Sequence, residues 1–239
     1  MPAALIIGAS SGIGRSLAIQ LAAAGYDLAL VARRETMLRA LAESLPGRAV
    51  VECLDITDAA AVESRLPSLI RSLGVLDLYI HCAGTGHMNP DLAPAPERET
   101  TAVNVDGFLT CVLIVAKILE RQGRGHIVGI SSVAAIRGNP DAPAYGASKA
   151  FMSHYLEALH LRLARGRTPI TVTDVQPGFV DTAMAKSPAR FWVATPETAA
   201  RQILTAIFAR KRQVYVTRRW RLYAWLMRGI PTRWLARPG

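Results

Sequence analysis

Ala3-Ala4-Leu5-Ile6-Ile7-Gly8-Ala9-Ser10-Ser11-Gly12-Ile13-Gly14 sets an unbroken apolar run against a glycine-rich loop, and an amphipathic stretch follows over residues 13–24. A strand buried on both faces has this continuous apolar character. The glycines let the backbone turn sharply and approach a diphosphate, and the start of the next helix offers free N–H groups and positive potential. The spacing is GxxxGxG rather than the GxGxxG of the commoner dinucleotide fingerprint.

The same alternation runs outward along the chain. Aliphatic runs at 3–7, 27–32, 49–53, 76–82, 126–131, 170–175 and 214–216 predict strands, and stretches near 13–24, 35–45, 58–72, 97–121, 145–165 and 196–210 predict helices. Strands separated by helices imply a parallel sheet, because parallel neighbours need a crossover. Residues 1–216 therefore read as one α/β domain, a doubly wound parallel sheet of seven strands with helices on both faces. Residues 217–239 read as a basic amphipathic helical extension. In such sheets ligands bind beyond the carboxyl ends of the strands.

Composition narrows the class. Of 239 residues 51% are hydrophobic, and 18 Gly and 14 Pro suit a globular chain with many turns. The first apolar run is too short to span a bilayer and has no basic leader, so a soluble, cytoplasmic protein is expected. Cys53, Cys82 and Cys111 have no metal-ligand spacing, and the His residues form no ligand cluster, so no metal is expected. The net charge is +10, yet Lys211 to Gly239 holds eight Lys or Arg and no acid. No nucleic-acid-binding motif accompanies that charge, and no nucleic-acid partner is expected.

The second strand bears on cofactor choice. An NAD site places an acid there for the ribose 2′-hydroxyl, whereas this strand ends Ala32-Arg33-Arg34. Two guanidiniums suit a 2′-phosphate, so NADP(H) is expected over NAD.

Further on stands Tyr145-Gly146-Ala147-Ser148-Lys149. Tyr and Lys four apart on a helix share one face. An ammonium held near a phenol favours the phenolate and is expected to lower its pKa, as general acid–base work requires. Ser132, at the end of the fifth strand, can hydrogen-bond a substrate oxygen. Asn104, in the helix 97–121, can orient a water towards Lys149.

Taken together, these motifs resemble the short-chain dehydrogenase/reductase family over roughly residues 3–216, which implies a Rossmann-like fold. The resemblance places the catalytic tetrad on Asn104, Ser132, Tyr145 and Lys149. It places cofactor contacts on Gly8, Ser10, Ser11, Gly12, Ile13 and Gly14, on Arg33 and Arg34, on Asp55 and Ile56 for the adenine, and on Ala83 and Gly84 beside the adenosine. Pro177-Gly178-Phe179-Val180-Asp181-Thr182 resembles the family's turn around the nicotinamide, with Val180 and Thr182 at the carboxamide. The implied mechanism is hydride transfer from NADPH to a carbonyl, a proton from Tyr145, a hydrogen bond from Ser132, and Lys149 on the ribose. One departure is His81-Cys82-Ala83-Gly84, where the family commonly has Asn-Asn-Ala-Gly; a structural role is expected for His81.

The segment Thr182 to Thr195 corresponds to the substrate flap. Met184, Phe191 and Trp192 predict a substrate that is at least partly hydrophobic, with Lys186 and Arg190 as charges of one sign. Residues 85–96, with His87 and Met88, are expected to form another rim. Beyond the last strand, Trp220, Tyr223, Met227 and Ile230 form a stripe at helical spacing, with Arg218, Arg221 and Arg228 opposite. Residues 218–230 can meet a membrane surface, pack on the same chain beside the pocket, or meet a partner subunit. The expected function is NADPH-dependent reduction of a hydrophobic or lipid-linked carbonyl compound, in a homodimer or homotetramer built on helices 97–121 and 145–165. Alternatives are the reductase half of a two-step epimerisation of a lipid-linked sugar, or a catalytically silent NADPH-binding regulatory protein.

Overall fold

The computed structural model describes residues 1–167, 169–184 and 191–235. Seven strands form one sheet: β1 Ala3–Ile7, β2 Asp27–Ala32, β3 Ala49–Cys53, β4 Leu78–His81, β5 Gly125–Ile130, β6 Ile170–Pro177 and β7 Gln213–Val216. Their spatial order is β3-β2-β1-β4-β5-β6-β7, and every pairing is parallel. The order reverses between β1 and β4, which opens a crevice at their carboxyl ends.

Period-two alternation along each strand divides the core into two layers. Ala3, Leu5 and Ile7 of β1 enter one cluster with Val112, Val115 and Leu156, while Ala4 and Ile6 enter the other with Leu17, Leu21 and Ile203. The first layer is covered by α3 Ala59–Leu73, α5 Phe108–Gln122 and α6 Pro143–Arg165. The second is covered by α1 Gly12–Ala23, α2 Glu35–Ser44 and α7 Pro196–Phe208.

One long helix was expected over 97–121, and the structure breaks it. A short α4, Pro94–Thr101, passes through a π-helical stretch, Ala102–Gly107, before α5 begins. Gly107 lies there against Ile56: an added Cβ would come within 2.8 Å of Ile56 Cγ1. The continuous stretch Pro94–Gln122 is long and apolar enough to pass for a membrane span. Its buried residues Phe108, Cys111, Val112 and Val115 pack instead into the sheet's core.

Beyond β7 the chain forms α8, Trp220–Gly229, and α9, Thr232–Leu235. The stripe noted in the sequence turns inward: Trp220 is 2% exposed, and Tyr223, Met227 and Ile230 are half-buried. The helix therefore packs on its own chain. Arg137 fastens its far end, with Nε donating to the Met227 carbonyl at 2.7 Å and Nη2 to the carbonyls of Arg228 and Ile230 at 3.1 and 2.5 Å. These carbonyls have no onward helical partner, so a guanidinium satisfies them.

Candidate active site

The glycine loop is a backbone crevice that side chains would fill. Gly8 (φ +87°) donates its N–H to the Val31 carbonyl at 2.7 Å, and an added Cβ would fall 2.5 Å from Ala83 N. A Cβ on Gly14 would fall 2.2 Å from the Gly8 oxygen, and one on Gly12 (φ +55°) 3.0 Å from Thr182 Cγ2. Gly12 begins α1, so the first N–H groups of that helix line the loop. Ser11 is its N-cap without a side-chain cap bond, and Ile13 is half-buried behind it. Ala83 and Thr182 thus meet this loop from two sides.

The two arginines after β2 part company. Arg34 reaches back over the loop, with Nη2 donating to Ser10 Oγ at 2.8 Å and Ser11 Oγ at 2.6 Å, and Nε to Ser10 Oγ at 3.2 Å. Arg33 points the other way, with Nη1 3.8 Å from Asp55 Oδ2 and both side chains largely exposed. Neighbours in sequence at a helix start cannot face the same way. Asp55 Oδ1 accepts from Thr57 N at 3.0 Å and Thr57 Oγ1 at 2.9 Å. Ile56 is buried against Gly107.

Asn104, Ser132, Tyr145 and Lys149 come together at the ends of β4 and β5. Asn104 is fully buried in the π-helical stretch. Its Nδ2 donates to the Thr85 carbonyl at 2.8 Å and Ser148 Oγ at 3.0 Å, and its Oδ1 accepts from Thr85 N at 2.9 Å. Both amide donors are therefore engaged in holding the 84–86 loop to α6, and one lone pair of Oδ1 is left for a water. Ser132 accepts from Ala134 N at 3.1 Å and hydrogen-bonds the Tyr145 phenol. Gly86 lies flat against Tyr145, since a Cβ there would fall 2.5 Å from Cδ2.

Lys149 is 4% exposed, with Nζ 5.9 Å from the Tyr145 ring centre. It donates to the Ile130 carbonyl at 3.0 Å and contacts Met152 Sδ at 3.5 Å. Burial pulls its pKa down to about 8, opposed by Cys82 and Asp174. Gly84 leaves room beside it, an added Cβ lying 3.1 Å from Nζ. The expected lowering of the Tyr145 pKa is corrected here. Burial raises it, against the hydrogen bond from Ser132. The ammonium, aimed at Ile130, does not offset the desolvation of the phenol. A phenol held neutral is a proton donor.

A support absent from the sequence reading lies beneath these groups. The Asp174 carboxylate, 7% exposed in β6, accepts from Ser131 Oγ at 2.5 Å, Ser153 Oγ at 2.6 Å and Gln176 Nε2 at 2.7 Å. Ser131 adjoins Ser132, and Ser153 is one turn beyond Lys149 on the same helix face. One carboxylate thus ties the end of β5 to α6. An acid within the strand, in Thr173-Asp174-Val175, was its signal in the sequence. The N-terminus of α6 is fixed similarly, by Ala144 N donating to Glu97 Oε2 at 2.9 Å.

His81 is wholly buried, its Nδ1 2.8 Å from the Tyr79 hydroxyl, and burial lowers its pKa to about 3. This is the structural part expected of it. Pro177 ends β6 and Gly178 follows it; Ser132 Oγ lies 3.5 Å from the Pro177 carbonyl and Gly178 N donates to Val216 O at 2.7 Å. Val180 is buried and bridges to Ala194. Of the flap, Met184, Phe191 and Trp192 are 40–46% exposed. Phe191 packs on Phe179, Trp192, Trp220 and Tyr223 with ring centres 5.0–6.3 Å apart. Lys186 and Arg190 lie outside the described residues.

Comparison with known proteins agrees with this architecture. The short chain dehydrogenase family matches residues 2–190. An uncharacterized oxidoreductase of Myxococcus xanthus is 39% identical over 183 residues, which cover 74% of this chain and 71% of that protein. The short-chain reductase protein NovJ of Streptomyces niveus is 31% identical over 90% of this chain and 89% of its own. Among solved structures, a 3-ketoacyl-(acyl-carrier-protein) reductase from Brucella melitensis complexed with NADH has a TM-score of 0.80 at 22% identity, over 90% of this chain and 96% of that one. The chain belongs to the short-chain dehydrogenase/reductase family of oxidoreductases.

Proposed function

We propose that the protein is an NADPH-dependent reductase of a hydrophobic carbonyl compound. The observation that carries this reading is the convergence of Tyr145, Ser132 and Lys149 beside a backbone cradle whose outer end is closed by Arg34, Ser10 and Ser11. The cradle fits a dinucleotide: Gly8, Gly12 and Gly14 leave no Cβ in the path of the diphosphate, and the α1 N-terminus faces it. Arg34 and the two serines suit a 2′-phosphate, and no acid from the end of β2 competes for the ribose. Asp55 with Ile56 would hold the adenine, Ala83 and Gly84 the adenosine side, and Pro177, Gly178, Val180 and Thr182 the nicotinamide end.

NADP(H) bound there supplies the hydride for a carbonyl carbon. Tyr145 gives its proton to the developing alkoxide, a far stronger base than phenolate. Ser132 turns its hydroxyl from the long contact with the Pro177 carbonyl and donates to the same oxygen. Lys149 presents its ammonium to the ribose hydroxyls and returns a proton to Tyr145. Asn104 fixes the 84–86 loop against α6 and offers Oδ1 to a water on that proton path. Phe179, Phe191 and Trp192 give the substrate an apolar wall. Exposed apolar residues on the sheet-covering helices, Leu113 of α5 with Phe151 and Leu161 of α6, suit assembly as a homodimer or homotetramer.

The test is fluorescence titration with NADPH and NADH on the wild type and Arg34→Ala, followed by assay of lipophilic ketones. The wild type is expected to prefer NADPH, and Arg34→Ala to weaken NADPH alone by about tenfold to a hundredfold, the value of a charged hydrogen bond. Tyr145→Phe is expected to keep cofactor binding and lose reduction. Equal binding of both cofactors by both proteins would overturn the NADP assignment, and an active Tyr145→Phe the chemistry.

A further inference from the structure

Helix α8 is apolar on two opposite faces, and among the described residues only one is used by the fold. Trp220 and Ala224 are buried, while Leu222, Trp225 and Leu226 are 58%, 71% and 48% exposed. The exposed three stand at i, i+3 and i+4, a continuous outward stripe. Helical geometry sets Arg221 and Arg228 along one side of it, Arg219 along the other, and Arg218 at its foot. Arg218, Arg219 and Arg221 are exposed and make no side-chain hydrogen bond or ion pair among the described residues. Trp234 of α9 adds a further exposed indole beside Arg233. No acid occurs from residue 211 to the end of the chain.

We propose that this outer face of α8 docks the protein on an anionic lipid surface. Leucine and tryptophan enter the headgroup boundary while the arginines on both flanks meet lipid phosphates, the pattern of a helix lying in the plane of an interface. A second copy is a poorer occupant: a two-fold contact would set each arginine flank against its own kind without an acid to pair it. The inner face explains how the helix is held ready. Arg137 fixes its C-terminal end, and the Trp220 indole is wedged against Gly178 and Phe179. The flap residues Phe191, Trp192 and Val193 are 40–46% exposed, and Phe191 and Trp192 touch that indole. The inference stands apart from the proposed chemistry, because docking needs neither cofactor nor catalysis.

The test is co-sedimentation of the full chain with vesicles of phosphatidylglycerol and phosphatidylcholine in equal parts, against phosphatidylcholine alone. The wild type is expected to partition to the anionic vesicles and to be released by salt. The triple variant Leu222→Ser/Trp225→Ser/Leu226→Ser is expected to bind at least about tenfold more weakly, its Tm unchanged because all three side chains are exposed. Arg218→Gln/Arg219→Gln is expected to lose about fivefold per charge on anionic vesicles. The proposal is overturned if the wild type ignores anionic vesicles at low salt, or if the triple variant binds them equally. It is overturned too if, without lipid, the triple variant alone falls to a smaller assembly in sedimentation velocity, since a second copy would then cover the stripe.

Discussion

Replacing Gly178 by alanine puts a methyl group where Trp220 already lies. The new Cβ falls 1.9 Å from Cε2, 2.0 Å from Nε1 and 2.3 Å from Cδ2 of the indole. Carbon contacts settle near about 3.5–4.0 Å, so the ring must retreat by roughly 1.5–2 Å. Around it stand Phe179, Phe191, Trp192 and Tyr223, with ring centres 5.0–5.6 Å away, so a shift of that size must displace them. Gly178 has no left-handed φ, so the clash is the whole penalty. If the ring shifts, overpacking costs about 1–3 kcal/mol. If it is expelled, the loss approaches that of Trp220→Ala, about 3–5 kcal/mol. At about 2–4 °C per kcal/mol for a chain of this size, Gly178→Ala is expected to lower Tm by roughly 5–10 °C. The decisive measurement is a double-mutant cycle by urea denaturation. With Trp220→Ala already in place the three nearest atoms, all of the indole, are gone, and the further cost should be under about 0.5 kcal/mol. Additive costs in the two backgrounds would refute the contact, and with it the argument that the C-terminal helix is built into the turn after β6.

Three further outcomes follow from the site. Gly86→Ala drives a methyl to 2.5 Å from Tyr145 Cδ2, so the turnover rate should fall at least about tenfold with NADPH affinity kept; a normal rate would mean that the phenol's position is not critical. Asp174→Asn turns an amide donor towards Ser131, Ser153 and Gln176, a mismatch of about 1–3 kcal/mol. Its turnover should drop more than its KM changes, and an unaltered rate would separate this tie from catalysis. Reduction should hold level through neutral pH and decline as pH passes about 8, where Lys149 loses its charge, while alcohol oxidation should rise with pH because burial keeps Tyr145 protonated. A reductive profile level to about pH 10 would exclude the lysine's ammonium from the rate.

The sheet was legible because both of its faces are buried, which leaves strands as plain apolar runs against amphipathic helices. Strand ends were less so. Leu76 is fully buried and apolar, yet β4 begins at Leu78, because burial alone does not make a ladder. Asn104 was identified without the π-helical stretch Ala102–Gly107 that aims it, because an apolar pattern near helical spacing does not distinguish the two helix types. The pair Arg33-Arg34 was legible as basic but not which member turns to the glycine loop, since adjacent side chains diverge and only the fold shows Ser10 and Ser11 within reach of Arg34. The direction of the Tyr145 shift follows from the burial of the phenol, which the spacing of Tyr145 and Lys149 does not reveal, and Lys149 itself turns to the Ile130 carbonyl.

The tail shows why amphipathic patterning can mislead in a helix with apolar residues on both sides. Reading from Trp220 selects Tyr223, Met227 and Ile230, with arginines opposite, and suggests a single sticky face. Reading from Leu222 selects Trp225 and Leu226, and the arginines then fall at the flanks. Both phases are present in the same eleven residues, and a pattern at helical spacing cannot rank them. The fold ranks them by a glycine. Only a residue without a side chain at 178 admits an indole at van der Waals distance from the turn after β6, and that fixes Trp220 inward. Once that ring is seated, with Arg137 holding the last turn, the rotation of α8 is determined and Leu222, Trp225 and Leu226 have nowhere to go but out. The outer stripe is thus a consequence of how tightly the inner one is held, and loosening Trp220 should disturb the flap and the docking face together.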